Sequence, residues 1–167
     1  MITTGSLNGY ENTNTEIIDL ILDKTWTKTC SDLPNFPSEI DGAVGGWLLG
    51  TPIVCGGGNG SVYGYSDKCY KFTKTNSVVG WQEFASMKHG NKRGAGIVYR
   101  NKFHIFGGFK GGFYNSSEII SEDGGVEVGP DLPTELTGHS ITAINETVSI
   151  LSGGFEGISS ESRALFF

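Results

Sequence analysis

The chain has little that would place it in a membrane or on nucleic acid. No run approaches the roughly 20 apolar residues of a membrane-spanning helix, and charged residues make up only 18% of the sequence. Lys and Arg number 12 against 18 Asp and Glu, for a net charge of −6. That balance argues against phosphate backbones, which are bound by clustered cations. Lys68, Lys71, Lys74, Lys88, Lys92 and Arg93 are scattered among acidic residues and read as solvated strand edges and loops. Met1 runs into Ile-Thr-Thr-Gly without the basic and apolar regions of a signal peptide, so either the protein is intracellular or its true N-terminus lies further upstream. Proline is scarce, at five residues, and helical periodicity is absent.

The patterns of common active sites are also missing. His89, His104 and His139 are far apart and lack metal-ligand spacing. Gly56-Gly57-Gly58-Asn59-Gly60 has neither a Walker lysine nor GxGxxG spacing. Gly138-His139-Ser140-Ile141-Thr142 lacks the last glycine of a nucleophile elbow, and no helix follows it. Ser121-Glu122-Asp123-Gly124-Gly125 reads as a turn between strands. The chain is therefore read as not an enzyme, with no catalytic residue, no metal and no cofactor.

What the chain has in abundance is glycine, 26 residues of 167, and the glycines recur in phase. Gly56-Gly57, Gly107-Gly108 and Gly153-Gly154 each follow a short apolar run, with Thr4-Gly5 as a degenerate fourth copy, at a period of about 50 residues. After each pair comes a polar loop and a second strand-like run, as in Lys68–Phe72 and Ser117–Ile120. Leu33-Pro34, Ser86-Met87 and Leu132-Pro133 form another recurring mark. Gly42-Ala43-Val44, Gly94-Ala95-Gly96 and Gly138-His139-Ser140 open the next strands, with His139 taken to match Arg93. A glycine pair suits a strand end where the chain turns sharply against its neighbours, because it admits positive φ and close backbone approach. The recurrence divides the chain into units of about 1–41, 42–93, 94–137 and 138–167.

An apolar strand, a Gly-Gly pair, then Tyr and Trp at set distances resembles the kelch repeat family. The second unit carries the whole signature in Gly56, Gly57, Tyr70 and Trp81, and the third and fourth keep Gly107, Gly108, Gly153 and Gly154. The resemblance implies an all-β fold, a kelch-type β-propeller of about four antiparallel blades with incomplete first and last blades. With both end units incomplete, part of a larger propeller is the preferred reading, and a closed four-bladed ring is the alternative. Trp47, Trp81, Phe72, Tyr70, Phe103, Ile105 and Phe106 are expected to fill the space between blades. Phe109, Phe113, Tyr114 and Phe155 are expected in loops after the glycine pairs, where they are candidates for lining a partner surface. The implied function is a non-catalytic protein-binding module or scaffold. The alternative is a fragment of a galactose-oxidase-like or carbohydrate-active propeller enzyme. Copper radical chemistry of that kind needs two His beside its Tyr residues, and no His pair accompanies Tyr10, Tyr63, Tyr65 and Tyr114.

Cys55 and Cys69 sit opposite each other if the hairpin between them folds about residue 62, so a disulfide and two buried thiols are both open. Cys30 is left over. Asn59, Asn115 and Asn145 begin Asn-X-Ser/Thr sequons, all expected in loops or turns. These features favour an extracellular or secreted glycoprotein over a cytoplasmic one. The expected partner is a protein, not nucleic acid or a membrane span. Each blade buries its faces only against neighbours, so the isolated chain is expected to expose apolar surface at its end units and to aggregate. Light scattering of the purified 167-residue chain checks this; a monodisperse, sharply melting monomer is the contrary result.

Overall fold

Short runs of alternating apolar and polar residues, broken by glycine, leave strands as the only regular element the backbone can form here. A computed structural model of the chain describes residues 2–7, 10–18, 28–29, 33–58, 64–75, 77–156, 159–160 and 164–166. Among these residues the fold is all-β and antiparallel, without a helix. No helix is therefore long and apolar enough to cross a membrane.

Strands β1 (Ile2–Leu7), β2 (Tyr10–Ile18) and β3 (Lys28–Thr29) form a first sheet. The second sheet is a four-stranded meander of β4 (Val44–Leu48), β5 (Thr51–Cys55), β6 (Lys68–Lys74) and β7 (Val79–Ser86). The third repeats it with β8 (Ala95–Tyr99), β9 (Lys102–Phe109), β10 (Phe113–Ile120) and β11 (Val126–Val128). Next come β12 (Ser140–Ala143), β13 (Ser149–Ser152), β14 (Phe155–Glu156), β15 (Ser159–Ser160) and β16 (Ala164–Phe166). Of these, β12, β13 and β16 make a three-stranded sheet, and β14 and β15 pair as a short ribbon.

Leu49 and Gly50 join β4 to β5 with φ of 46° and 81°, and Arg100 and Asn101 join β8 to β9 with φ of 49° and 58°. Two positive-φ residues in a two-residue loop match the right-handed twist of the strands they connect. Neither pair is an Asn-Gly or Asp-Gly signal, so these turns are set by the strands on either side.

The sheets meet through their first strands: β4 lies against β8, and β8 against β12. Between the second and third sheets lies the main core, with Val44, Leu48, Ile53, Ile105 and Ile120 packed around the fully buried Phe103. The Phe103 ring occupies space that side chains would otherwise fill. A Cβ on Gly96 would stand 2.6 Å from its Cζ, and one on Gly46 would stand 2.6 Å from its Cε2. A second cluster forms where Phe36 lies edge-on between Tyr70 and Trp81, at centroid distances of 5.0 and 5.1 Å. Trp81 Nε1 donates a 2.8 Å hydrogen bond to the buried Thr15 hydroxyl, tying the first sheet to the second. Leu132, Leu136 and Leu151, with Phe106 packed against them, form a third cluster.

Two expectations change here. Trp47 does not fill the core but is 60% exposed, because the alternation of β4 turns Val44 and Leu48 inward and Trp47 to the opposite face. The recurring Leu-Pro mark is also displaced in the first unit. The amides of Phe36, Met87 and Leu132 donate to the carbonyls of Thr13, Asp67 and Asn115 respectively. Phe36, rather than Leu33, is therefore the counterpart of Leu132.

Cys55 and Cys69 form a disulfide between β5 and β6. They are directly opposed in the ladder, with Cα atoms 4.1 Å apart. The Gly56 amide donates to the Lys68 carbonyl at 3.0 Å. That bond places the cysteines in a non-hydrogen-bonded pair, where opposed side chains come closest. Both are fully buried in the main core. Cys30 lies outside the described residues. Mass spectrometry without reductant should find the Cys55–Cys69 crosslink, and the Cys55→Ala/Cys69→Ala double variant should lose about 3 kcal/mol in a denaturant melt. Two unreacted thiols in the native protein would contradict the pairing.

Candidate functional site

Just beyond each glycine pair the chain is clasped to the segment that enters the same unit. Three antiparallel bridges repeat this contact: Asp41 with Gly58, Lys92 with Phe109, and Thr137 with Phe155. Each is a reciprocal pair of backbone bonds, as between Lys92 and Phe109 at 3.1 and 2.9 Å. The residue after each first partner is in the left-handed region: Gly42 at φ 61°, Arg93 at 61° and Gly138 at 66°. Their backbones also form a relay, in which Arg93 N donates to Gly42 O and Gly138 N donates to Arg93 O, both at 2.7 Å. The counterpart of Arg93 is thus Gly138. The expected match with His139 was one residue out, and His139 corresponds to Gly94.

The glycine pairs make this clasp possible. Gly107 and Gly108 have φ of 59° and 112°, and a Cβ on Gly107 would lie 2.5 Å from the Leu136 carbonyl oxygen. The Gly108 amide donates to that same carbonyl at 2.8 Å. Gly56 and Gly57 stand in the same relation to Asn91, and Gly153 and Gly154 have the same backbone conformation.

An open cleft of about 390 Å³ lies at this corner, lined by Lys92, Arg93, Phe109, Phe113, Thr137 and Phe155. Phe109 and Phe113 face each other across β9 and β10, with centroids 5.4 Å apart in an edge-to-face arrangement. Phe155 stands on the neighbouring β14, 54% exposed. These three residues are strand ends, not loop residues as expected; the connecting turn is confined to Lys110, Gly111 and Gly112. The glycine pair does not stop β9, which runs on through it to Phe109. Tyr114 also belongs to β10 rather than to a loop, but it is not part of the cleft lining and packs instead near His89, 6.1 Å between ring centroids.

Lys92 and Arg93 give the cleft a cationic rim. The Lys92 ammonium sits 3.9 Å from the Asp41 carboxylate and 5.6 Å from the centre of the Tyr65 ring. Arg93 is exposed, and among the described residues no carboxylate pairs with it. A non-glycine residue in this backbone region costs of order 1 kcal/mol. The sequence pattern had set both cations down as solvated edges. The signal that marks Arg93 is its position in a column otherwise filled by glycine, and that column appears only once the register is corrected by one residue.

Three further polar groups are buried or partly buried at the corner. The carboxylate of Glu118, only 7% exposed, accepts the amides of Lys88 at 2.7 Å and His89 at 2.9 Å and lies 3.4 Å from His89 Nδ1. It thereby pins the second unit's exit loop to β10. Asn91 Nδ2 donates to the Gly107 carbonyl at 3.0 Å. The third group, His139, is buried against Gly107 and Gly154, and burial pushes its pKa down to about 4; the Phe106 carbonyl opposes this without reaching hydrogen-bond geometry. His104 is half-buried, stacks on Phe106 at 6.3 Å and is also shifted down by burial. No group of three His, Cys, Asp or Glu residues among those described is placed to hold a metal ion.

Of the sequons, Asn145 lies in an exposed turn, where its Oδ1 accepts from the amides of Thr147 and Val148. Asn115 corrects the loop expectation: it lies inside β10, at the register shift between Tyr114 and Ser117. Asn59 lies outside the described residues.

A His whose folded pKa lies near 4 is neutral in the native state, while the unfolded chain takes up a proton near 6.5. Stability should therefore be complete above pH 6.5 and fall as the pH drops towards 4. Denaturant melts at pH 7, 5.5 and 4.5 should show this slope, and it should flatten in His139→Leu. An NMR titration placing His139 near 6.5 would refute the assignment.

No family model matches the chain, and no curated protein matches it. Solved structures do: the chain resembles the structure of YjhT with a TM-score of 0.70 at 16% identity, over 86% of this chain and 52% of YjhT. The chain spans about half the length of that protein. At this identity the likeness carries the arrangement of strands and nothing of activity.

Proposed function

We propose that the chain is a segment of a kelch-type β-propeller and serves as a non-catalytic module that binds a protein partner through the corner bearing Phe109, Phe113 and Phe155. Support for the propeller comes from recurrence. Two four-stranded meanders in succession pack first strand against first strand, and the same clasp of glycine pair and left-handed residue appears at three corners. The likeness to YjhT is consistent with that reading. Tyr70 and Trp81, the signature aromatics, both pack on Phe36 and so work as blade core.

The observation that carries the binding role is the convergence of three phenylalanines from successive units on one open cleft, with Phe155 half exposed. Large aromatics left partly in solvent on a rigid frame are suited to anchoring a partner. The buried disulfide and the exposed Asn145 turn favour an extracellular, glycosylated setting.

Affinity capture from secreted and cytosolic fractions, using the wild type and the Phe109→Ala/Phe113→Ala variant, tests this reading. A protein held by the wild type and released by the variant is the expected outcome. Equal capture by both would remove the cleft from the function.

A further inference from the structure

Arg93 is the one charged residue in a column whose other members are Gly42 and Gly138, and all three share a left-handed backbone. Glycine adopts that conformation without strain, whereas arginine must be held in it by the bonds on either side. Those bonds are made by the Arg93 amide and carbonyl alone, so glycine would make them equally well. The Arg93 stem lies over Gly42, its Cγ 3.1 Å from where a Cβ there would stand, and a strained non-glycine residue at the edge of a cleft points to a use for the end of its side chain. That side chain lines a cleft whose walls are Phe109, Phe113 and Phe155, in a protein of net charge −6. Lys92 beside it is already engaged with Asp41 and Tyr65. Among the described residues no carboxylate pairs with Arg93, so its guanidinium is the rim cation left for an external anion.

We propose that the cleft is an anion subsite in which Arg93 pairs with a carboxylate borne on a flat apolar group, the group lying among Phe109, Phe113 and Phe155. A guanidinium offers paired donors matching a carboxylate, and the phenylalanine rings offer apolar surface to the group that bears it. A cleft of about 390 Å³ falls within the usual range for a small ligand. The same chemistry can arrive as a free aromatic acid or as a Glu flanked by aromatic residues in a partner segment. The inference deepens the binding role proposed above and rests on the same cleft, but it would stand without a kelch assignment.

The test is a titration followed by NMR, with 3-phenylpropionate against its neutral amide, and with acetyl-Phe-Glu-Phe-amide against acetyl-Phe-Gln-Phe-amide. Saturable binding of either acid, with the matching neutral probe weaker by about tenfold, supports the subsite. Binding of the free acid alone identifies a small-molecule source, and binding of the peptide alone a partner segment. Arg93→Gly should raise the melting temperature by about 2–4 °C and abolish the preference for the acids. Failure of both acids to saturate, an undiminished preference in Arg93→Gly, or a lower melting temperature for that variant would overturn the proposal. Loss of partner capture in the Phe109→Ala/Phe113→Ala variant with no acid preference in the wild type would leave the binding role standing and remove only the carboxylate.

Discussion

Everything in the described part of this fold depends on backbone meeting backbone at the corner after each glycine pair. The distance involved is short: a single Cβ at Gly107 would fall 2.5 Å from the Leu136 carbonyl oxygen, far inside contact. Removing that atom allows the Gly108 amide to reach the same carbonyl, and the neighbouring bridge between Lys92 and Phe109 then closes. From that closure follow the direction in which β10 returns, the facing of Phe109 on Phe113, and the placement of Phe155 one unit on. A side chain at the pair would break more than a local turn, since the sheets are held at their mutual angle by these same bonds.

Apolar packing and polar fastening divide the work between sheets. Phe103 fills the space over the bare backbone of Gly46 and Gly96, and Val44, Leu48, Ile53, Ile105 and Ile120 pack around it where the second and third sheets meet. Such contact is strong but lacks direction. Direction comes from Glu118, whose buried carboxylate takes two amides of the preceding unit, and from Trp81 bonding Thr15 across to the first sheet. A buried acceptor that loses its donors is costly, so these contacts select one register between sheets that the apolar core alone would leave loose.

The strands were legible because alternation and glycine punctuation are local properties of the chain. The β9 run from Lys102 up to its glycine pair and the opposition of Cys55 to Cys69 are legible from spacing alone. The site was legible in part. Phe109, Phe113 and Phe155 stand out by their position after the glycine pairs, but the sequence points to loops there, because nothing in it reveals that β9 continues through its glycines. Tyr114 followed the same logic and points elsewhere, since adjacent residues of a strand face opposite sides. Lys92 and Arg93 are invisible in the sequence as a pair beside the cleft, because its other lining residues are 16 to 63 positions away. Trp47 was misplaced for the simplest reason, that a large aromatic on a glycine-rich strand does not reveal which face it takes.

The meander order of the two four-stranded sheets bears on how the chain reaches this state. Each strand pairs with its sequence neighbour, so every ladder closes a short loop at small entropic cost. The contacts that join sheets span longer stretches, from Thr15 to Trp81 and from Lys88 to Glu118. Pairing within a sheet thus needs only short loops to close, whereas docking of one sheet on the next requires Phe103 and the Glu118 side chain to be buried together. Synthesis from the N-terminus would present finished meanders one at a time, each waiting for its successor to cover it.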